Sequence, residues 1–309
     1  MSTPIHIRNF SWDDVPETIM FVNRSNNSEK TPREITPSLF IQSTQMPGLC
    51  IKSDFFVAVN SSQAIIGFMK IIKEPKISRF VMEYTLTNGP DRSQVFILLL
   101  DIAYKYFKNT NLKFMHVQAV HHDSDIIKFL EGFDFKRVKE YWTYLWKKQT
   151  LPKNTIPDGF HLTHFEQSRD ESVLTSLQNQ IFSHHWGFAP NTIEEITARV
   201  SMERNDKKGI VILKDGAKFT GYNWTLVSNN GRDSVGWISM TGIHPDYRGR
   251  KLGKEIVLAG MHHLSNLGVT EIELEVDSDN KPATKVYLDL GFQKIGTNYW
   301  FENQHPTTE

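Results

Sequence analysis

Residues 244–255 read HPDYRGRKLGKE. The apolar run GWISMTGI (Gly236–Ile243) leads into them, and Leu252, Ile256, Ala259, Gly260 and Leu264 beyond fall on one side of a helix. The stretch is therefore a strand-to-helix junction, with Pro245 ending the strand because proline cannot donate to a ladder. Glycine lets backbone N–H groups crowd a ligand, and a helix N-terminus carries about half a positive charge. With Arg248, Arg250 and Lys251 added, such a turn suits a pyrophosphate. Neither G-x-x-x-x-G-K-[ST] nor G-x-G-x-x-G occurs, which argues against nucleoside triphosphates and nicotinamide cofactors.

At 309 residues the chain is about twice a common domain of roughly 150 residues, so two domains are expected. Thirty-five basic and thirty-five acidic residues balance, leaving no overall field to attract nucleic acid or anionic lipid. The single cysteine, Cys50, excludes an internal disulfide and suits a reducing cytosol. Its apolar flanks make it read as a small buried residue. No segment approaches the ~20 apolar residues of a membrane span, and MSTPIHIRNFSWDDV at the N-terminus holds no signal-peptide core. The expectation is a soluble cytoplasmic protein, monomeric or homodimeric.

Several features recur at nearly one spacing. Ile7-Arg8-Asn9-Phe10 is echoed by Leu162-Thr163-His164-Phe165, and Pro90 by Pro245, both 155 residues on. The Gly-Phe step at Gly132-Phe133 is echoed at Gly291-Phe292, and Tyr141-Trp142 at Tyr299-Trp300. The chain therefore reads as two homologous halves. Between them KKQTLPKNTIPDG (Lys147–Gly159) suits an exposed linker, which puts the domains at 1–150 and 151–309.

In the second half the apolar period gives a strand at GFHLTHF, helices over Glu171–Phe182 and Thr192–Glu203, and strands at Ile210–Leu213, Phe219–Val227 and Ser234–Ile243. Asp215-Gly216 and Asn229-Asn230-Gly231 mark turns between them. The helix from Leu252 stops at Leu267-Gly268; the strand EIELEV, a helix over Lys281–Leu290 and a last strand through Trp300 follow. The order βααβββαβαβ predicts an α/β fold with a mixed sheet in each half.

The run IHPDYRGRKLG resembles the acyl-CoA pyrophosphate loop of the GNAT acyltransferase superfamily, whose pattern is Arg/Gln-x-x-Gly-x-Gly/Ala after a strand. NKPATKVYLDLGF (Asn280–Phe292) resembles that superfamily's second signature, an Asn, an Ala, then a Tyr four residues before Gly-Phe. The IRNF start and FSHHWGFAP are similar to the tandem-repeat members that include mycothiol synthase. The resemblance implies two tandem GNAT-like domains around splayed sheets. It also implies an N-acetyltransferase that carries an acetyl group from acetyl-CoA to a primary amine of a small molecule or peptide.

Carried over by position, the resemblance sets the backbone of Met240, Thr241 and Ile243 against the pantetheine arm. It puts the pyrophosphate on Arg248, Gly249, Arg250, Lys251, Leu252 and Gly253, and a pantetheine contact on Asn280. Tyr287 becomes the general acid, a phenol that protonates the departing thiolate. Lys251 stands where the pattern has its first glycine; its backbone N–H survives that change, so the loop can still bind phosphate provided Lys251 does not need a positive φ.

The central strand Trp237-Ile238-Ser239-Met240-Thr241 offers no carboxylate, so no base is identified. His184, His185 and Trp186 lie where the family covers the acceptor, and either histidine is a candidate base, against the alternative of capping a helix end or stacking on Trp186. The pairs His121-His122 and His262-His263 lack metal-ligand spacing, so no metal is expected. The alternatives are a non-catalytic acyl-CoA sensor, or transfer of another acyl group, aminoacyl included.

The first half reads as a silent copy. Gly89-Pro90-Asp91-Arg92 stands for the loop, no glycine occurs from Asp91 to Glu131, and counting back from the Gly-Phe step puts Lys128 where the second half has Tyr287, with His121 at or near the place of Asn280. The alternative is a second, non-catalytic acyl-CoA site.

Overall fold

A computed structural model describes residues 4–26, 34–229 and 234–305. The first copy runs β1 (His6–Asn9), α1 (Val15–Asn26), α2 (Pro37–Thr44), α3 (Ile51–Asp54), β2 (Phe55–Val59), β3 (Ile65–Glu74), β4 (Arg79–Leu86), α4 (Arg92–Lys108), β5 (Phe114–Val120), α5 (Ser124–Gly132) and β6 (Lys136–Lys147). The second runs β7 (Phe160–His164), α6 (Glu171–Phe182), α7 (Ile193–Val200), β8 (Ile210–Asp215), β9 (Lys218–Asn229), β10 (Ser234–Ile243), α8 (Leu252–Asn266), β11 (Glu271–Asp277), α9 (Lys281–Asp289) and β12 (Gln293–Gln304). The repeated order is the expected one, with the one-turn α3 added in the first copy.

Two compact units emerge, Met1–Glu140 with Thr297–Glu309, and Tyr141–Gly296. The division therefore falls inside β6 and β12 rather than at one cut near residue 150. In unit 1 the strand order is β1-β2-β3-β4-β5 followed by the end of β12, whose Asn298–Gln304 pairs antiparallel with Val120–Phe114. In unit 2 it is β7-β8-β9-β10-β11 followed by the end of β6, whose Tyr141–Lys147 pairs antiparallel with Asp277–Glu271. Each copy's last strand completes the sheet of the other unit. The reason lies in side chains: Phe301 of β12 is 1% exposed among Phe80, Phe107 and Val117, and Trp146 of β6 is fully buried among Leu258, Ile272 and Leu274.

Unit 2 has helices on both faces of its sheet. Ile256, Leu258, Met261 and Leu264 of α8 pack with α9 against one face, where Ile272, Leu274 and Val276 project. Leu174, Leu177 and Ile181 of α6 and Ile196 of α7 cover Ile212, Tyr222 and Trp224 on the other. Alternation along β11 thus sends Glu271, Glu273, Glu275 and Asp277 to the α6/α7 face.

Some expectations change. Helix α7 stops at Val200, short of Glu203, because the Asn205 amide donates to the Arg199 and Met202 carbonyls and ends the last turn. Cys50 is exposed rather than buried. It precedes α3, where its N–H donates to the Asp54 carboxylate at 2.9 Å, and a hydrogen bond with Ser53 lowers its thiol from the ordinary range. The segment between the copies lies along α8: Thr155 N–H and Asn154 Nδ2 donate to the Glu255 carboxylate at 2.6 and 3.1 Å, and His262 Nε2 meets the Pro152 carbonyl at 2.8 Å. The expected turn at Asn230-Gly231 lies outside the described residues.

Candidate active site

Strand β10 pairs with β11 in parallel only from Val235–Trp237 against Glu271–Glu273. Past that point β10 continues to Ile243 and β11 to Asp277 with no ladder between them. A bulge at Ser239, between Ile238 and Met240 in the register with β9, turns the strand away. The backbone of Met240, Thr241 and Ile243 keeps its β9 partners on one edge and faces this slot with the other. An extended amide chain can add there as a strand would.

The loop after β10 stands at the slot's end. Gly249 takes φ +79, and Lys251, the N-cap of α8, takes φ +61 with no side-chain cap. Lys251 therefore adopts the left-handed conformation of the pattern's glycine, so the proviso that it need no positive φ is not met. A residue with a side chain held at that φ bears a strain of about 1 kcal/mol or more. A Cβ on Gly253 would meet nothing within 4 Å, so no protein atom accounts for a glycine in the first turn of α8. Open space there admits a ligand close to the uncapped N–H groups.

The cations divide their work. Arg248, although exposed, turns inward: Nε donates to the Ile243 carbonyl at 3.2 Å and an Nη to the Ile181 carbonyl at 2.9 Å, joining the loop to β10 and to α6. Arg250 lies over the Tyr247 ring at 5.0 Å. Leu252 is 1% exposed, so only its backbone faces the loop. Asn280 caps α9, its side-chain oxygen accepting from Ala283 N–H at 3.2 Å.

Tyr287 lies on α9 and packs against Phe292 edge-on at 5.8 Å and Tyr144 at 6.5 Å. Burial raises its hydroxyl well above the ordinary phenol range, so it stays protonated near neutrality. On the opposite sheet face, Met240 Sδ accepts from Gln178 Nε2 at 3.5 Å, and Asn191 Nδ2 donates to Gln178 Oε1 at 3.2 Å. The HHW segment divides: His184 is exposed, His185 folds back on Phe182 with ring centroids 4.9 Å apart, and Trp186 lies 6.4 Å from Tyr141. A groove of about 690 Å³ between α6 and Pro245, lined by Ser176, Gln180 and His244, adjoins the loop from outside; the slot, with its unpaired strand edges, is the better match to an extended thioester arm. Among the described residues no group of three or more His, Cys, Asp or Glu gathers at one point.

In unit 1 the corresponding opening is filled. Strands β4 and β5 pair in parallel from Arg79–Met82 against Phe114–Val117, and just beyond, the Tyr84 hydroxyl reaches across and donates to the Gln118 carbonyl at 3.0 Å. Arg92 at the start of α4 makes a two-point ion pair with Asp123, the N-cap of α5. The end of α5 corrects the sequence alignment. Phe135 N–H donates to the Leu130 carbonyl as Phe292 N–H does to the Tyr287 carbonyl, and Asp134 at φ +61 takes the left-handed place of Gly291 at φ +90. The equivalent of Tyr287 is thus buried Leu130, not exposed Lys128, and that of Asn280 is Asp123 rather than His121. Tyr84, Ser239 and the β11 carboxylates were missed from sequence, although E-I-E-L-E alternates visibly.

Residues 173–292 match the sequence profile of the Acetyltransferase (GNAT) family. The matched residues lie within unit 2, and the chain as a whole has the fold of a tandem protein with two GNAT-like domains. It is similar to the mycothiol acetyltransferases of Actinosynnema mirum, 33% identical over 52% of this chain and 53% of that protein, and of Thermomonospora curvata, 30% identical over 50% and 52%. The chain spans about half the length of the curated relatives it matches. Among solved structures, a tandem GNAT protein from the clavulanic acid biosynthesis pathway superposes with TM-score 0.76 over 99% of this chain and all of its own, at 14% identity. A GCN5-related N-acetyltransferase from Sphaerobacter thermophilus does so with 0.76 over 98% and 97%, also at 14%.

Proposed function

We propose that the chain is an acetyl-CoA-dependent N-acetyltransferase whose chemistry belongs to unit 2, working in the cytoplasm on a primary amine. The observation that carries this reading is the opening of β10 from β11 beside an uncapped, glycine-framed helix start. In this reading the backbone edge of Met240, Thr241 and Ile243 binds the pantetheine amides, and the N–H groups from Gly249 to Gly253 hold the pyrophosphate. Arg248 contributes by fixing the loop, and Asn280 presents its amide nitrogen while its oxygen caps α9. A strand N–H at Met240 or Thr241 stabilises the oxyanion as the amine attacks. Tyr287 then donates its proton to the departing thiolate. His185 and Trp186 form part of the acceptor's cover. The relatives' name puts acceptors related to mycothiol first in any panel.

Unit 1 is read as catalytically silent. Tyr84 and Arg92 fill its slot with the protein's own groups, and Leu130 offers no hydroxyl. One acetyl-CoA per chain is expected by calorimetry.

The test is acetyl transfer to a panel of primary amines with mass detection of the product. Tyr287→Phe keeps the ring packing and deletes the hydroxyl, so kcat should fall roughly 10²-fold with acetyl-CoA affinity unchanged. Unchanged kcat rules out the acid role, and binding without turnover on any amine points to a sensor.

A further inference from the structure

We propose that Glu275 of β11 is the group that receives the acceptor's ammonium and removes its proton; this rests on the acetyltransferase reading above. The central strand β10 supplies no carboxylate facing the slot, yet an amine near neutrality must lose a proton before it can attack. The register of β11 provides one. Glu273 stands beside Trp237 at the last paired position of the two strands, and is 2% exposed. Glu275 follows two residues later on the same face, where β10 has bulged away at Ser239. It is half-buried, and Ser239 is exposed at that level. A group from solvent can therefore reach Glu275 at the slot, while Glu273 lies behind it in the sheet.

The two sheet faces separate the proton traffic. Tyr287 projects among Leu274, Val276 and Tyr144 on the α8/α9 face. Glu275, opposite Thr143 in the β6 ladder, projects on the α6/α7 face. A thioester lying in the slot thus has its donor acid on one side and a carboxylate on the other. On Glu275's face its own strand adds Glu273 and Asp277, while Arg199 of α7 acts on Tyr222 there and Arg204, whose carbonyl accepts from Val227 N–H, follows that helix. Lys281 and Lys294 both stack over Trp142 on the other face, 5.1 and 4.1 Å from its ring.

The step balances as follows. The ammonium gives one proton to Glu275, and the freed nitrogen lone pair forms a bond to the thioester carbonyl carbon. The C–S bond then breaks, its electron pair stays on sulfur, and Tyr287 protonates the thiolate. The nitrogen's second proton restores Tyr287 through solvent, and Glu275 releases the first. Amide, free thiol and one proton leave.

The test uses the full chain, acetyl-CoA, and glucosamine, spermidine and an alanyl peptide with a free N-terminus as probes. With the probe that turns over, Glu275→Gln should lower kcat roughly 10²-fold or more, abolish the acid limb of the kcat/KM pH profile, and leave acetyl-CoA affinity within about twofold. Glu275→Asp should recover part of the rate with the limb displaced. If the wild type acetylates a probe and Glu275→Gln matches its kcat and pH profile, the role of Glu275 is overturned and the acetyltransferase reading stands. A kcat loss matched by equal loss of acetyl-CoA affinity, unrepaired by Glu275→Asp, marks a structural role and also overturns it. If acetyl-CoA binds but the wild type acetylates no probe, both readings fail together.

Discussion

Lys251 is where a side chain and a backbone disagree. The turn into α8 needs a left-handed residue at the N-cap, and every L residue other than glycine carries a steric cost there. Lys251 holds φ +61 and returns no capping hydrogen bond for it. What the position retains is a cation beside the uncapped N–H groups. Lys251→Gly should therefore raise stability by roughly 0.5–1 kcal/mol, the strain relieved less the extra freedom of the unfolded glycine. The same change should weaken acetyl-CoA modestly, in a salt-dependent way, because one exposed cation is lost. Denaturant melts and calorimetry at two salt concentrations check both; a destabilised variant would mean the left-handed conformation is not strained.

At the scale of elements, α8 shows a conflict between helix formation and binding. Gly253 occupies its first turn with an ordinary negative φ and an empty approach, so alanine fits without a clash. Gly253→Ala should stabilise the fold by roughly 0.5–1 kcal/mol through helix propensity and a less free unfolded chain. A bulky Gly253→Leu should leave the fold intact and block the pyrophosphate's approach, which calorimetry reads as lost acetyl-CoA affinity. Equal affinity in Gly253→Leu and wild type would remove Gly253 from the site. Much of this was legible in the sequence, because glycine and proline punctuate the chain at fixed places and the apolar period switches with each element. The slot was not. Whether two strands pair or part depends on a bulge at Ser239, and a single extra residue leaves no compositional trace. The alternating glutamates of β11 were equally plain in the sequence, but their face became meaningful only when the register set Glu273 beside Trp237. The filled slot of unit 1 was illegible for the same reason: Tyr84 and Gln118 lie 34 residues apart.

For the whole molecule the repeat was visible but the exchange of strands was not, since homologous copies have the same sequence pattern whichever sheet receives the last strand. The consequence bears on how the chain can be divided. A fragment ending at residue 150 leaves unit 1 without Asn298–Gln304, so β5 becomes an open edge and the site of Phe301 empties. A fragment from residue 151 leaves unit 2 without Tyr141–Lys147, so β11 loses its outer partner together with Tyr144 and Trp146. Removing one buried large aromatic side chain costs about 3–5 kcal/mol, and a domain's whole stability is about 5–15 kcal/mol. Unit 2 loses two such side chains and a strand of ladder hydrogen bonds. Each fragment made alone should therefore be unfolded, or aggregated through its exposed edge. A fragment spanning 141–296 keeps every strand that the contacts assign to unit 2, and should show more protected amides in hydrogen exchange than 151–309 does. Cooperative melting of 151–309 as a monomer, at the midpoint of the full chain, would show that the exchanged strand contributes nothing to unit 2.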